Sequence, residues 1–198
     1  CLEMKKSLFL LLLCFLSFLT YAKKPLQYPQ KDYKNSLKIT FLSWISGSTK
    51  LSYERAFSRW HQSGELCASV VGAGFDKYDN NPQGFTMRYG HKFFLGTNDY
   101  RRSLMGFYLR SEVVCSHYNY DNKEMGERVL SVETAFLGTI GYQYVYKRFL
   151  ADFWVGAGYA TGTPAETYYH HGFELWHYFN TVNTNIALSF SIRLGVCF

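Results

Sequence analysis

Apolar and polar residues alternate through the last 14 residues of the chain, "NIALSFSIRLGVCF" (185–198). Every second residue from Ile186 to Phe198 is apolar, and the positions between them are small or polar. Because successive side chains of a β-strand point to opposite faces, this stretch predicts a strand with one bulky face. With about 3.3 Å per residue and a tilt of about 40°, it rises roughly 30 Å, the thickness of a bilayer's hydrocarbon core.

The same alternation recurs in seven earlier segments, separated by connections rich in Gly, Asn, Asp and Ser. These segments cover residues 37–45, 51–57, 65–75, 84–95, 104–120, 128–146 and 150–160. Eight is an even number of strands, as a single-chain bacterial outer-membrane barrel requires. The sequence therefore predicts an all-β fold, an eight-stranded antiparallel up-and-down transmembrane β-barrel, over residues 36–198.

The alternation alone does not decide which face of the barrel is outside, because a soluble barrel turns its bulky face inward. In the last segment the other face carries mostly Ala, Ser and Gly, whereas a water-exposed face would carry Lys, Glu and Thr. Small residues suit a narrow lumen and bulky residues suit lipid. We therefore expect the bulky face outside, with a soluble lipocalin-like binding barrel as the alternative.

The same alternation assigns every second residue of a strand to the lumen, and we call this assignment the parity of the strand. It places nine polar residues inside the barrel. They are Glu54, Arg88, Lys92, Arg110, Glu112, Glu133, Gln143, Asp152 and Arg193. Eight strands leave an interior that side chains can fill, and an unpaired buried charge costs several kcal/mol. The four acids and four bases of this set can neutralise one another, so we expect a charge-paired lumen rather than an open pore.

Aromatic residues make up 19% of the chain, and many fall near the predicted strand ends. This group comprises Phe93, Phe94, Tyr118, Tyr120, Tyr142, Tyr144 and Tyr146. Aromatic girdles at both interfaces are typical of membrane barrels. We therefore predict that these seven side chains belong to such girdles.

The first 22 residues predict an export signal. "MKKSLFLLLLCFLSFLTYA" (4–22) has a basic start, an apolar stretch and small residues at its end, which favours initiation at Met4 and cleavage after Ala22. Its apolar run is shorter than the roughly 20 residues that a membrane-spanning helix needs, although an anchor helix or lipidation at Cys14 are alternatives. Residues 23–35 would then form a periplasmic lead before the barrel.

Charge and cysteine usage exclude some partners. Cleavage removes Lys5, Lys6 and Glu3 and leaves 19 basic and 14 acidic residues, scattered through turns rather than striped along one element. This distribution argues against nucleic acid as a partner. The cysteines that remain, Cys67, Cys115 and Cys197, are odd in number and lack C-x-x-C spacing, so they predict neither a disulfide framework nor a zinc site.

Four motifs and the last residue carry a family resemblance. "LSYERAF", "GFYLRSE", "GYQYVY" and "WVGAGY", followed by a terminal Phe198, resemble the small outer-membrane β-barrel proteins of unknown function in Gram-negative bacteria. More distantly, residues 36–198 are similar to the eight-stranded barrels of the outer membrane protein A and X type. The resemblance implies this fold and an outer-membrane location, and we expect a monomer. It also implies recognition of the C-terminal strand, ending at Phe198, by the barrel-insertion machinery, but no established activity, and we expect no cofactor.

Connection lengths predict the orientation and one candidate contact surface. Segments 58–64, 96–103 and 147–149 are expected in the periplasm, and segments 76–83, 121–127 and 161–182 outside the cell. The longest connection, 161–182, carries the run "YYHHGFELWHYF" (168–179). Its candidate contact residues for a glycan or a lipid headgroup are Tyr168, Tyr169, His170, His171, Trp176, His177 and Tyr178.

Candidate catalytic or metal-binding residues are few. The spacing of the three loop histidines is not a recognised zinc pattern, so we expect no metal. "HQSGE" (61–65) brings His61, Ser63 and Glu65 together, but in a predicted solvated periplasmic turn. Ser116 and His117 are neighbours in one strand and should face opposite sides. We therefore expect a structural or surface-interaction role, with a lipid A-modifying enzyme, a deacylase or acyltransferase, as the alternative.

Overall fold

The fold is an eight-stranded antiparallel β-barrel, closed by pairing between its first and last strands, in the computed structural model. The structure describes residues 32–41, 43–57, 61–76, 79–95, 103–123, 125–162, 176–177 and 186–198. In these ranges the only helical element is a 3-10 turn at Ser43–Ser46. The predicted all-β class and the eight-stranded closed barrel are confirmed.

Nine β-strands are described, eight of which form the barrel. They are β1 (Asn35–Thr40), β2 (Ser48–Ala56), β3 (Gln62–Val71), β4 (Gln83–Leu95), β5 (Gly106–Asn122), β6 (Glu127–Tyr146), β7 (Phe149–Gly162), β8 (Trp176–His177) and β9 (Ile186–Cys197). Consecutive strands pair from β1 to β7, β7 pairs with β9, and β9 pairs with β1. The two-residue β8 pairs with β9 beyond the stretch that β1 covers.

The strand register has a large stagger. Ser36 of β1 pairs with Cys197 of β9. In the other direction around the barrel, from Ser36 across β2 to β7, successive partners end at Ala187 of β9. Ala187 and Cys197 are ten residues apart, so the stagger around the closed barrel is ten residues. A stagger of this size in an eight-stranded barrel requires strands tilted by about 40° and leaves an interior that side chains can fill.

Burial alternates along each barrel strand with the period of two that the sequence predicted. In β2 the nine residues alternate strictly between buried and exposed. The facing of β3 was ambiguous in the sequence because Val70 and Val71 are adjacent; Val70 is 57% exposed and Val71 only 2%. In β9, Phe190 and Ile192 face outward while Ser189 and Ser191 are buried.

The first predicted strand was too long. Instead of continuing to residue 45, β1 ends at Thr40, and the 3-10 turn carries the chain to Gly47, whose φ of 81° is left-handed. The connection between β3 and β4 holds this turn in place: the Phe75 backbone amide donates a hydrogen bond of 2.7 Å to the Trp44 carbonyl. As a consequence β2 begins at Ser48, three residues earlier than predicted.

The girdle prediction was wrong for three of its seven aromatic residues. Tyr118 and Tyr120 are buried inside the barrel. Phe94 is half-buried, with its ring edge-on to the Tyr108 ring at 5.7 Å between centroids. Phe93 and Tyr146, in contrast, are exposed on the outer face. An aromatic near a strand end can face either way, and only its parity decides which.

The barrel end that holds the start of β1 and the end of β9 is closed by apolar side chains. We call it the terminal end and the opposite end the loop end. Asn35 and Phe198 exchange two backbone hydrogen bonds there, of 3.2 and 2.9 Å. Inside this end Val145, Leu150 and Cys197 form a buried cluster, against which Tyr33 and Met105 pack.

Asp32 ties the residues before β1 to the connection between β4 and β5. Its carboxylate accepts hydrogen bonds from the Ser103 amide at 2.8 Å, the Ser103 hydroxyl at 3.0 Å and the Lys34 ammonium at 2.7 Å. Burial raises the pKa of Asp32, but the hydrogen bonds from Lys34 and Ser103 and the Lys34 charge lower it more. Its pKa therefore lies below the ordinary 3.8.

We expect Asp32→Asn to speed hydrogen exchange of the Ser103 amide about five-fold at neutral pH, because a hydrogen bond to a charged acceptor worth about 1 kcal/mol is weakened. Folding lowers the pKa of Asp32, so the ionised carboxylate contributes its full stabilisation above pH 3.8. That stabilisation is lost as the pH falls through the pKa of Asp32 in the folded state. Wild-type protection, corrected for intrinsic exchange, should therefore drop in acid while that of the variant does not. Asp79→Asn, in an exposed loop at the other end, is the control, and equal exchange in all three proteins would contradict the assignment.

Candidate functional site

The lumen holds a layer of polar and charged side chains. All nine residues predicted to face inward lie inside the barrel, with exposures of 0 to 4%. They come from β2, β4, β5, β6, β7 and β9. The structure adds Lys38 from β1, Lys50 from β2 and Glu65 from β3, all buried as well. Every strand of the barrel therefore contributes to this layer.

The sequence contained a signal for each of the three added residues. Lys38 lies between Leu37 and Ile39, which are exposed, so parity alone assigns it to the lumen. Lys50 was missed because the predicted strands left it in a connection. Glu65 was missed because it was the first residue of a predicted strand, next to a predicted turn. Strand ends are the least certain part of a pattern-based assignment.

Two lysines and three carboxylates form the centre of the layer, which we call the central cluster: Lys38, Glu54, Glu65, Lys92 and Asp152. The Lys38 ammonium lies 2.6 Å from Glu54 Oε2 and 3.1 Å from Asp152 Oδ2, and it also contacts Glu65. The Lys92 ammonium lies 2.8 Å from Asp152 Oδ2, 3.1 Å from Glu65 Oε2 and 3.4 Å from Glu54 Oε2. Each lysine thus bridges all three carboxylates.

Two arginines complete the coordination of Glu65. Arg110 Nη1 lies 3.1 Å from Glu65 Oε1, and Arg193 Nη1 contacts the same oxygen. Gly90 provides the space that Arg110 needs, because a Cβ at this position would lie 2.8 Å from Arg110 Cδ. Glu65 therefore meets four cations, counting the two lysines, and is the most highly connected anion among the described residues.

Neutral side chains satisfy the remaining polar atoms of the central cluster. Gln143 accepts a hydrogen bond from Lys92 at 2.7 Å and donates to Glu54 and to the Leu104 carbonyl, both at 3.1 Å. Tyr108 donates its hydroxyl proton to Asp152 Oδ1 at 2.6 Å. Such neutral partners lower the cost of burying ions because they supply hydrogen bonds that water would otherwise make.

A second group of charges lies toward the loop end. Arg88 binds Glu112 through two hydrogen bonds of 3.0 and 2.9 Å, and Arg110 Nη2 reaches the same carboxylate at 3.0 Å. The Trp154 ring contacts both guanidinium groups, with centroid distances of 5.3 Å to Arg88 and 4.1 Å to Arg110. Arg110 therefore joins Glu112 and Trp154 to the central cluster.

Apolar side chains border the central cluster and the Arg88–Glu112 pair on both sides. Toward the loop end lies a buried cluster of Val114, Ala135, Leu137, Ala160 and Ala187. Toward the terminal end lies the Val145–Leu150–Cys197 cluster described above. Buried, mutually neutralised and bordered in this way, the central cluster is suited to filling and stiffening the barrel. Proton transfer to a substrate would require access that these buried groups do not have.

His61, Ser63 and Glu65 were predicted to lie in a solvated turn. That prediction was wrong for two of these three residues. Ser63 and Glu65 face into the lumen from β3. The Ser63 hydroxyl donates to Glu54 Oε1, and Glu65 belongs to the central cluster. His61 is exposed in the turn before β3, with a left-handed φ of 48°.

Ser116 and His117 face opposite sides of β5. Ser116 is buried within hydrogen-bond distance of Thr86, whereas His117 is exposed and stacks on Phe85. Of the loop contact residues, Tyr168, Tyr169, His170, His171 and Tyr178 lie outside the described residues. Trp176 and His177 form β8, paired with Leu188 and Ala187.

Within the described ranges, no group of three or more His, Cys, Asp or Glu side chains is placed to hold a metal ion. Cys67 and Cys197 are buried free thiols, and Cys115 is exposed. Among the same described residues, no helix is long and apolar enough to span a membrane.

No protein-family model, curated protein or solved structure matches this chain. Its function must therefore be inferred from its own geometry.

The central cluster predicts a large effect for an isosteric change at Glu65. Glu65→Gln should lower the free energy of unfolding by about 3–5 kcal/mol, because it leaves buried cations without their shared anion. Glu127→Gln, on an exposed carboxylate at the start of β6, should change it by less than about 0.5 kcal/mol. Urea unfolding in detergent micelles measures both changes. Similar stability in the two variants would mean that the pairing at Glu65 does not stabilise the barrel.

Proposed function

We propose that this chain is an outer-membrane β-barrel with a structural or surface-interaction role. In this proposal the barrel spans the membrane, with its terminal end in the periplasm and its loop end outside the cell. The observation that carries the proposal is the inverted distribution of side chains: large apolar residues cover the outside, and charged residues fill the inside.

The outer face is apolar to a degree that water does not favour. Large apolar and aromatic side chains with exposures between 36 and 60% occur on all eight barrel strands. Soluble monomers rarely expose contiguous apolar patches of more than a few hundred Å². A soluble binding barrel would need the reverse arrangement, with an apolar cavity and a polar exterior.

Charged side chains on the outward face of the described barrel strands occur only near its margins. Arg55 lies near the terminal end, while Asp121 and Arg128 form an ion pair of 3.3 Å near the loop end. Between these margins, the outward stretch of β9 from Ile186 to Val196 spans about 25 Å along the barrel axis at a tilt of about 40°. A lipid-facing band of about 25 Å is typical of outer-membrane barrels.

Aromatic side chains accumulate near both margins of this band. Near the terminal end Phe57, Phe93 and Tyr146 are exposed, and near the loop end Trp44 and Tyr159 are exposed. Amphipathic rings favour the interface between lipid and water. The terminal Phe198 pairs with Asn35 to close the barrel, and we propose that it also serves the barrel-insertion machinery as a recognition signal.

Cell fractionation tests the location. The full chain should be recovered in the outer-membrane fraction of a Gram-negative host and should migrate differently in gels before and after heating, because closed barrels resist detergent denaturation. Recovery in the soluble periplasm would contradict the proposal. Changed lipid A mass spectra in a deletion strain would instead favour a lipid-modifying enzyme.

An arginine scan of the outer face tests membrane insertion directly. Ile192→Arg, in the middle of the outward stretch of β9, should destabilise the inserted barrel by about 2–4 kcal/mol, because it places a charge near the bilayer midplane. Thr161→Arg, outward near the loop end of β7, is the matched control and should cost about 0–1 kcal/mol. Unfolding from phospholipid vesicles measures both. Equal stability would show that the outer face does not meet lipid.

A further inference from the structure

A polar cluster interrupts the apolar outer face near the terminal margin. The His91 ring lies 3.0 Å, through Nε2, from Gln62 Oε1, and its Nδ1 lies 3.5 Å from the Tyr89 hydroxyl. The Phe57 ring stacks on the His91 ring at 5.7 Å between centroids. This arrangement holds polar atoms at a fixed position on a surface that otherwise presents hydrocarbon.

Arg55 brings a positive charge to the same place. Gly64 of β3 pairs with Arg55 of β2 on one side and with His91 of β4 on the other, so that both side chains project outward about 10 Å apart. Arg55 is exposed and has no ion pair with any described residue. A guanidinium in this position can donate two parallel hydrogen bonds to a phosphate.

An apolar groove of about 430 Å³ begins beside the polar cluster. Its outward-facing lining residues include Tyr89, Ser111, Val113, Phe136 and Gly138. Ser111 pairs with His91 and Gly138 pairs with Ser111, so the groove continues from the cluster into the band.

We infer that the cluster and the groove together bind one anionic phospholipid of the leaflet at the terminal end. The phosphate is held by Arg55 and the His91 cluster, and one acyl chain lies in the groove between Tyr89, Val113 and Phe136. The inference rests on the proposed membrane location and adds a defined ligand to it. The positive charge of Arg55 complements the negative phosphate of such a lipid. A second copy of the chain would instead place its own apolar outer face against Arg55, and this would bury the charge without a partner.

Two variants separate the two halves of this site. Arg55→Gln removes the charge, and Gly138→Leu fills the groove. A side chain at Gly138 is tolerated, because a Cβ there would meet only the Ala157 carbonyl oxygen, at 4.0 Å. The matched controls are Arg128→Gln at the loop margin and Ala68→Leu on the outer face of β3.

The experiment uses the full chain in nanodiscs of phosphatidylcholine with a minor fraction of phosphatidylglycerol. After transfer into mild detergent, native mass spectrometry counts the lipids that stay bound. Wild type and both controls should retain one phosphatidylglycerol, while Arg55→Gln and Gly138→Leu should each retain about five-fold less. Excess inorganic phosphate should not displace the lipid, since it lacks the acyl chain.

Each other outcome overturns the inference in a distinguishable way. A wild-type chain that does not insert into the nanodiscs overturns the proposed membrane location and this inference with it. An inserted chain whose retention of phosphatidylglycerol is the same in Arg55→Gln as in Arg128→Gln overturns this inference alone. So does displacement by inorganic phosphate, or a mass that shows a second protein copy in place of the lipid.

Discussion

The ion pairing around Glu65 is the constraint on which the rest of the barrel depends. A buried carboxylate is tolerated only when cations and hydrogen-bond donors surround it, and four cations from β1, β4, β5 and β9 do so here. β4 and β5 pair on one side of the barrel, whereas β1 and β9 pair on another, so the four cations reach one carboxylate only across the lumen of the closed barrel. Slipping one strand by a single residue would move its charge from the lumen to the outer face, so the cluster fixes the register.

The charged interior and the apolar exterior are consequences of one another. Charged and apolar residues alternate along each strand, so the period of two that turns the charges into the lumen turns the apolar side chains outward. In water such an exterior would be unfavourable, whereas in lipid it is stabilising. The buried apolar clusters on both sides of the central cluster shield its ion pairs from solvent, which strengthens them. A closed, filled barrel of this kind fits the proposed structural role better than a channel would.

Parity along the sequence was sufficient to predict the barrel and the inward position of the nine charged or polar residues. It could not predict their partners, because Lys38 reaches Asp152, 114 positions away, only through the stagger of the closed sheet. It failed at strand ends, where Glu65 was assigned to the edge of a turn. It also failed for Tyr118 and Tyr120, since an aromatic girdle and an aromatic core have the same composition and differ only in facing.

The stagger also determines the outer surface, because inner and outer residues are neighbours along each strand. The pairing that brings Glu65 beside Glu54 places Gly64 beside Arg55, and the pairing of Gly90 with Glu65 places His91 beside Gly64. The position of the outward Arg55 relative to His91 therefore follows from the same register that neutralises the lumen. A shift that separated the outer polar residues would also separate the buried ions, which are far more costly to leave unpaired. The central cluster thus holds the proposed lipid site in place without touching it.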